Sequence, residues 1–154
     1  MDFASYITWF VDWEWCFSVS FSLKEKLKTK IELRPSFSIS QNKFSKEILF
    51  DIQKFFNCGA IRFSRNDQTY KYEVRSIDDL MKYIIPHFEK YNLLTKKKED
   101  FEKFAYICKL IYQTKHRNVS YLTEIIDIAY TMNSSWKKKY KKEKLLSVIN
   151  KVKI

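Results

Sequence analysis

The sequence is poor in cysteine and has no long apolar run that is free of charged residues. Its three cysteines are odd in number, lie far apart and form no CxxC pair. This pattern argues against a disulfide framework or a zinc site and fits a reducing compartment. Residues 3–21 are largely apolar, but Asp12 and Glu14 interrupt them and no basic segment precedes them. We therefore expect neither a signal peptide nor a membrane span.

Glycine is nearly absent as well, whereas lysine is abundant. The chain has one glycine in 154 residues, where average usage would give about 7%, and its 24 lysines outnumber its five arginines. The lysine bias is typical of genes from A/T-rich genomes and suggests an organellar gene. A hydrophobic fraction of 45% argues against disorder, and the length predicts one domain with its own core.

The net charge of +11 is concentrated at the C-terminal end. Residues 136–154 contain eight lysines and one glutamate, hence +7, which leaves +4 for the other 135 residues. We expect a domain over residues 1–135 followed by a basic tail over 136–154. Nucleic acid is the default partner for such a charge distribution. The alternative is a solvated, partly disordered lysine-rich end without a partner.

Two kinds of hydrophobic spacing divide the chain into strands and helices. Alternation of apolar and polar residues predicts half-buried strands at 17–24, 30–41, 61–64 and 70–75. Helical spacing predicts a first helix over 7–15 and others at 45–56, 77–91, 97–116, 120–132 and 141–152. Ser45 is the expected N-cap and Gly59 the expected C-cap of the helix between the strand pairs. His87 lies in an apolar stretch and is expected to be a packed core residue.

The order of these elements predicts an α+β fold with the arrangement αββαββα and extra C-terminal helices. Its four-stranded antiparallel sheet would carry helices on the apolar face and leave a polar, cationic face open. Such a face can lie in a DNA major groove, where long side chains reach base edges and phosphates. An ordinary solvated face is the alternative. The residues expected to contact nucleic acid are Lys24, Lys30, Arg34, Ser36, Ser38, Ser40, Arg62, Arg65, Lys71 and Arg75, with Gln41 on the same face.

Residues 7–15 read Ile-Thr-Trp-Phe-Val-Asp-Trp-Glu-Trp, an apolar helix that ends in Asp-x-Glu. This segment resembles the signature helix of the LAGLIDADG family of homing endonucleases and intron maturases. The runs at 58–63, 72–75, 84–88, 93–98 and 130–133 are similar to later segments of that family, in the same order. The resemblance covers about residues 7–140. It departs from the family at Trp9, Trp13 and Trp15, which stand where small residues, mostly glycine, are usual.

The resemblance implies a catalytic mechanism and an assembly. One signature motif per chain implies a homodimer whose two signature helices pack together, and the residues of this dimer helix are Ile7, Trp9, Phe10, Asp12 and Trp13. Glu14 would be the catalytic acid and the ligand for Mg²⁺, beside the Glu14 of a second copy, in two-metal hydrolysis of DNA. Asp12 would be a structural acid. Gln41 falls near a family residue that orients water, and Lys97 near one that stabilises transition-state charge.

The tryptophans bear on whether such a dimer can form. Trp9 and Trp13 are four residues apart and share one helix face. Overpacking a tight site costs about 1–3 kcal/mol, so four indoles across a two-fold interface would cost roughly 4–12 kcal/mol, against a domain stability of about 5–15 kcal/mol. Trp136 also stands where the family has glycine. We hypothesise that one codon is read here as tryptophan but means, or once meant, glycine.

Three functions are compatible with these features. The first is an intron-encoded, site-specific double-stranded DNA endonuclease that uses Mg²⁺. The second is a maturase-like or domesticated protein that binds structured RNA, such as intron or ribosomal RNA, without cleaving it. The third is a basic α/β domain with no nucleic-acid partner. We favour the first, located in an organelle (the mitochondrial matrix or a chloroplast), with no membrane partner.

Overall fold

The computed structural model describes residues 1–14, 16–133 and 138–152. Its centre is a four-stranded antiparallel sheet in the order β1-β2-β4-β3. The strands are β1 (Phe17–Leu23), β2 (Ile31–Asn42), β3 (Ala60–Ser64) and β4 (Thr69–Val74). Each hairpin pairs two consecutive strands, and the longer-range pairing of β2 with β4 joins the hairpins. The predicted sheet is confirmed.

Helices precede, separate and follow the two hairpins, which confirms the predicted α+β order. They are α1 (Phe3–Asp12), α2 (Glu47–Phe56), α3 (Ile77–Asp79), α4 (Ile85–Lys90), α5 (Lys97–Tyr112), α6 (Val119–Ala129) and α7 (Lys142–Val152). A π-helical turn at Leu80–Ile84 joins α3 to α4, and a 3-10 turn at Lys115–Arg117 precedes α6. Within the described ranges, no helix has both the length and the apolar character to cross a membrane.

A cluster of phenylalanines fastens the sheet to the helical layer. The ring centroid of Phe17 in β1 lies 5.4 Å from that of Phe37 in β2, 5.4 Å from that of Phe88 in α4 and 5.2 Å from that of Phe104 in α5. Aromatic pairs at these distances contribute about 0.5–1.5 kcal/mol each beyond their burial. The strand alternation that points Phe17 and Phe37 inward turns their polar neighbours outward. One face of the sheet is therefore covered by helices, and the other is left open.

The basic C-terminal end is packed rather than solvated where the structure describes it. Leu145 and Ile149 of α7 are four residues apart, share one helix face and are fully buried in the main core. Lys142 forms a 2.9 Å ion pair with Asp127 of α6. From residue 138 to 152, the predicted tail is therefore attached to the domain. Its remaining lysines are exposed except for Lys138, whose ammonium donates to the Met132 carbonyl (3.2 Å).

The ends of α2 differ from the prediction. The helix begins at Glu47 after Lys46, which makes no side-chain cap, so Ser45 is not the N-cap. Its C-cap is Asn57, which has the left-handed conformation expected of Gly59 (φ 55°, ψ 34°), because asparagine tolerates that region better than most residues. Gly59 is needed for another reason. Its φ is +82°, and a Cβ there would lie 2.7 Å from the Tyr72 ring.

The predicted helix over 77–91 is interrupted. It consists of α3, the π-helical turn and α4, and Pro86 lies in the first turn of α4. Proline has no N–H to donate to the preceding turn and its ring clashes with the carbonyl four residues back. A single regular α-helix through Pro86 is therefore unfavourable, and the widened turn lies directly before it.

Candidate nucleic-acid interface and active site

The register of the strands assembles one polar face from all four of them. Ser20 of β1 lies opposite Arg34 of β2, Ser40 of β2 lies opposite Lys71 of β4, and Lys71 lies opposite Arg62 of β3. Residues directly opposite in an antiparallel sheet point to the same side. Long cations and short hydroxyl side chains are thus interleaved across the face that the helices do not cover.

Most of the predicted contact residues are open to solvent on or beside this face. Lys24 and Lys30 close the β1–β2 hairpin, where the Lys24 N–H donates to the Lys30 carbonyl (2.9 Å) and the Lys30 ammonium lies 3.5 Å from the Glu25 carboxylate. Arg65 lies in the β3–β4 turn, beyond the sheet itself. The exposed members of the predicted set are Lys24, Arg34, Ser40, Arg62, Arg65, Lys71 and Arg75, while Lys30 and Ser38 are half-buried.

Two predicted residues are not available on this face. Gln41 lies opposite Tyr70 and two positions after Ile39, so it points to the same helix-covered side of the sheet as Ile39. Its predicted face is therefore wrong. Ser36 is on the polar side but only 7% exposed, and its hydroxyl donates to the Glu73 carboxylate (3.0 Å). Strand alternation identifies Glu73 as outward-pointing, but it cannot reveal that neighbouring side chains cover this acid.

Helix α1 presents two contrasting sides. Asp2 caps its start by accepting from the Ser5 N–H (2.7 Å). Ile7 is 0% exposed, whereas Trp9 is 52% and Trp13 is 71% exposed. Of the five residues predicted for a dimer helix, Trp9, Phe10 and Trp13 face outward or sideways, while Ile7 and Asp12 face the core of their own chain. Trp15 and Trp136 lie outside the described residues.

Asp12 binds the backbone that leads into α5. Its carboxylate accepts from the Leu94 N–H (2.9 Å), the Thr95 N–H (3.2 Å) and the Thr95 hydroxyl (2.8 Å). The carboxylate is 8% exposed, so these bonds compensate its desolvation. This geometry supports the structural role that the resemblance implies for Asp12 and leaves the side chain committed within its own chain.

Glu14 and Lys97 lie close enough to interact electrostatically. Glu14 follows α1 in a turn, where its N–H donates to the Val11 carbonyl (3.0 Å). Its half-exposed side chain lines a shallow depression of about 230 Å³ together with Trp9 and Trp13. Burial lowers the pKa of Lys97, and nearby acids, Glu14 among them, oppose that shift. Lys96 and Lys98 are exposed. Within residues 96–98, the structure thus brings Lys97 to the signature acid.

A chain of hydrogen bonds connects Asp12, the first acid of the motif, to the backbone of this lysine. Asp12 accepts from the Thr95 hydroxyl, and the Thr95 hydroxyl in turn accepts from the Lys97 N–H (3.2 Å). The start of α5 is therefore fixed against the end of α1. Cys16 lies in the same region: burial raises the pKa of its thiol, an effect that Glu14 increases and Lys97 reduces.

The described residues of the chain hold no cluster of acidic ligands large enough for a closed metal site. Among the described residues, no three His, Cys, Asp or Glu side chains cluster closely enough to hold a metal ion. Mg²⁺ commonly takes one or two carboxylates and completes its shell with water and substrate phosphates. Glu14 fits that requirement as a half-exposed carboxylate near Lys97.

His87 is a core residue, as predicted. It is 8% exposed, its Nε2 lies 3.2 Å from the Thr8 hydroxyl of α1, and its ring stacks on Tyr91 at 5.1 Å. Burial lowers the pKa of His87 to about 4. The imidazole is therefore neutral at physiological pH, and it contacts the inner side of α1 rather than the depression at Glu14.

The signature segment and its surroundings match a known family model. The model described as "LAGLIDADG endonuclease" matches residues 7–108. The chain is also similar to "Probable intron-encoded endonuclease 2" of Neurospora crassa, with 34% identity over 130 residues, which cover 84% of this chain and 29% of that protein. The chain thus spans less than a third of that relative's length.

Two solved structures share the fold over nearly the whole chain. The homing endonuclease I-TnaI superposes with a TM-score of 0.84 and 32% identity, covering 99% of this chain and 100% of that one. The I-SmaMI LAGLIDADG homing endonuclease bound to cleaved DNA superposes with a TM-score of 0.86 and 27% identity, covering 99% of this chain but 49% of that one. One copy of this chain corresponds in length to about half of I-SmaMI.

Proposed function

This chain belongs to the LAGLIDADG endonuclease family, and we propose that it is an intron-encoded, site-specific endonuclease of double-stranded DNA. The observation that carries the proposal is the cationic face built from all four strands by their register. The similarity to a homing endonuclease bound to cleaved DNA supports the same partner. The intron-encoded relative supports an intron gene, and the composition supports an organellar one, in a mitochondrion or chloroplast.

The sheet would bind the duplex through two kinds of contact. Exposed cations such as Arg34, Arg62 and Lys71 reach phosphates and guanine edges, and hydroxyls such as Ser38 and Ser40 reach base edges at shorter range. Phosphate contacts provide most of the non-specific affinity, and base-edge contacts select the site. Ser36 is excluded from direct contact by its burial.

Glu14 and Lys97 would perform the chemistry at the edge of this surface. Glu14 supplies a carboxylate ligand for a divalent cation, which we propose is Mg²⁺. A bound divalent ion stabilises the charge on the attacking and leaving oxygens of a phosphodiester. Lys97 places a positive charge near the same region, held there by Asp12 through Thr95. Gln41 stays a prediction as the water-orienting residue, although its register does not favour it.

A homodimer through the outer side of α1 completes the proposal. Each copy contributes one Glu14, and the chain corresponds to about half of I-SmaMI, of which it covers 49%. The outer side of α1 exposes 52% of Trp9 and 71% of Trp13, an apolar surface that a partner helix would cover. Two indoles on each helix would hold the helices apart, so the dimer is expected to be weak with tryptophan at these positions.

The test is cleavage of a duplex that joins the two exon sequences flanking the gene. We expect Mg²⁺-dependent cutting near the junction and none of a duplex in which the intron interrupts it. Glu14→Gln should lower the cleavage rate at least about a thousandfold, since a metal ligand contributes several kcal/mol to the barrier. Binding measured by gel shift should change less than about threefold, because Glu14 is not on the contact face.

Glu47→Gln is the matched control for Glu14→Gln. Glu47 is an exposed glutamate in the first turn of α2, so the substitution removes one surface charge away from the site. Its cleavage rate should equal that of the unmodified chain. Equal activity of the Glu14→Gln protein would contradict the assigned role of Glu14. Binding of the junction duplex by the unmodified chain without any cutting would contradict the proposed endonuclease activity.

A second function, binding of structured RNA without cleavage, is favoured by the tryptophans. Cleavage requires two Glu14 side chains close together, whereas RNA binding by the sheet does not, and Trp9 and Trp13 stand on the side that must approach. A-form RNA has a deep, narrow major groove that side chains cannot read, so recognition would depend on shape and on 2′-hydroxyl and phosphate contacts across the minor groove. Stable association with intron or ribosomal RNA in Mg²⁺, without cutting of the exon-junction duplex, would support this alternative.

A further inference from the structure

Glu73 is an acid in the middle of the cationic face. It lies on the interior strand β4, opposite Ser38 of β2 and Ala60 of β3. Its side chain is only 6% exposed, although it points to the side that the helices leave open. The small side chains of Ser38 and Ala60 leave room for longer neighbours to fold over it. Glu73 is therefore covered from the solvent side by its own strand neighbours.

Both carboxylate oxygens of Glu73 are occupied. Arg75 Nε lies 3.0 Å from Oε1 in an ion pair, Lys71 Nζ lies 3.4 Å from Oε2, and the Ser36 hydroxyl donates to Oε2 at 3.0 Å. Burial alone raises the pKa of Glu73, but Lys71, Ser36 and Arg75 outweigh it and hold the pKa below the ordinary glutamate value. The acid is therefore ionised across the physiological range, and the burial of its side chain argues against a direct contact with a base.

The two cations keep unused donors that face solvent. Lys71 and Arg75 retain 46% and 51% of their side-chain exposure. Guanidinium has five N–H donors and ammonium has three, so one ion pair leaves several in each group. Lys71 also lies opposite Arg62, and the Glu73 charge relieves the repulsion among these three cations. Both long side chains are thereby held in one arrangement before any ligand arrives.

A negative charge on a surface for polyanions weakens the general attraction to phosphate, so its presence here needs a compensating role. Resting on the proposed function, we propose that Glu73 is a positioning residue that holds Lys71 and Arg75 as a preset pair for guanine edges in the major groove. Arginine and lysine recognise guanine through O6 and N7, and the geometry of that contact depends on where the charged group is held. Glu73 thus lowers the non-specific affinity for DNA and raises the selectivity for guanine.

The test compares the unmodified chain with Glu73→Gln on two probes. The first is a random-sequence 30-base-pair duplex, titrated at several salt concentrations. Freed cations should bind it about threefold to tenfold more tightly, with a log–log salt slope steeper by about one. The second is selection from a randomised duplex library, where guanine preference at the two positions read by this pair should fall about tenfold.

Two further variants keep the test decisive. Glu47→Gln removes the same charge away from the face and should leave both readouts unchanged. Ser36→Ala removes one hydrogen bond to Glu73 and no charge, so it should move selectivity in the same direction by a smaller factor, even if Glu73→Gln folds poorly. A purely structural role would lower the melting temperature and leave the selected sequences unchanged.

The outcomes separate this proposal from the function on which it rests. Sequence-selective binding by the unmodified chain, with the same guanine positions selected by Glu73→Gln and Ser36→Ala, would overturn the role of Glu73 alone. If the unmodified chain selects no duplex sequence at all, the proposed function fails and this inference fails with it. Loss of guanine selectivity together with a steeper salt slope supports both.

Discussion

The inner and outer sides of helix α1 have different roles, although the residues that form them are interleaved along one short segment. On the inner side, Ile7 and Val11 are fully buried and Asp12 accepts three hydrogen bonds from residues 94 and 95 through its carboxylate. On the outer side, Trp9 and Trp13 are largely exposed, and Glu14 beyond them is half-exposed. The fold of one chain depends on the inner side, whereas the proposed assembly and cleavage depend on the outer side.

The difference means that stability and activity should be separable by mutation. Asp12 and Glu14 lie only two positions apart, yet their loss is expected to have different consequences. Loss of Asp12 destabilises the fold, whereas loss of Glu14 leaves the chain folded but inactive. A result in which both substitutions had the same consequence would remove the distinction. The predictions below challenge it in order of decreasing effect on the free energy of unfolding.

Asp12→Ala should lower the free energy of unfolding by about 3–5 kcal/mol. The substitution leaves the N–H groups of Leu94 and Thr95 without their acceptor, and bonds to a charged group contribute about 1.5–3 kcal/mol each without being fully additive. Urea denaturation followed by circular dichroism measures the change. Glu14→Ala, the paired variant, should stay within about 0.5 kcal/mol of the unmodified chain. Equal losses from the two variants would contradict the comparison.

Acid should weaken the inner side of α1 through His87. Its pKa is lowered from 6.5 to about 4 in the folded chain, so the unfolded chain binds the proton first as the pH falls. The neutral imidazole contributes about 3 kcal/mol to the free energy of unfolding. This contribution is complete above about pH 6.5 and is lost as the pH falls towards 4.

Comparison with His87→Gln isolates this contribution from that of the carboxylates. Between pH 7 and pH 4.5, the free energy of unfolding of the unmodified chain should fall relative to that of the variant, as measured by urea denaturation at each pH. A difference that stays constant over this range would mean that His87 does not titrate as a buried neutral group.

The outer side should tolerate large changes with little loss of stability. Trp9→Gly with Trp13→Gly should cost about 1–2 kcal/mol, mainly because glycine weakens a helix interior. The same change removes the indoles that separate two α1 helices, so dimerisation should strengthen at least tenfold. Sedimentation velocity over a concentration series measures it, and Trp9→Ala with Trp13→Ala tests whether small size alone is sufficient. Dimerisation that weakens in both pairs would identify the indoles as interface contacts.

Peptide mass spectrometry of the protein from its natural source addresses the same positions directly. Glycine at 9, 13 and 15 would support the hypothesis that one codon is misread as tryptophan. The exposure of Trp9 and Trp13 agrees with that hypothesis, because the core of one chain does not depend on either indole. Tryptophan at all three positions would overturn it and leave an altered signature motif.

Strand alternation was sufficient to predict the sheet, because a period of two is visible in the sequence and one face is strongly apolar. Glu73 shows the limit of that information. Its outward direction follows from alternation, but its burial depends on Lys71 and Arg75 folding over it. Gln41 shows another limit: it is polar, yet the register places it with Ile39 on the helix side. Polarity alone is a poor guide at the end of a strand.

The site was predictable only in part from local sequence. Glu14 and Lys97 are 83 positions apart, and nothing in their own segments predicts that they lie close together. The resemblance to the family pointed to both residues. Their proximity depends on the Asp12–Thr95 contact, a long-range hydrogen bond that no periodicity reveals. The cap of α2 was missed for a local reason, since Asn57 could take the left-handed conformation that Gly59 was expected to supply.

The contact between Asp12 and Thr95 has an evolutionary consequence. If a lineage no longer cleaves DNA, substitutions at Glu14 leave the fold intact and can accumulate, whereas substitutions at Asp12 still destabilise the chain. Any copy that is retained for a second purpose, such as binding RNA, remains under selection to keep Asp12. The first acid of the motif is therefore expected to outlast the second in decaying copies of the gene, so its presence alone is no sign of an active nuclease.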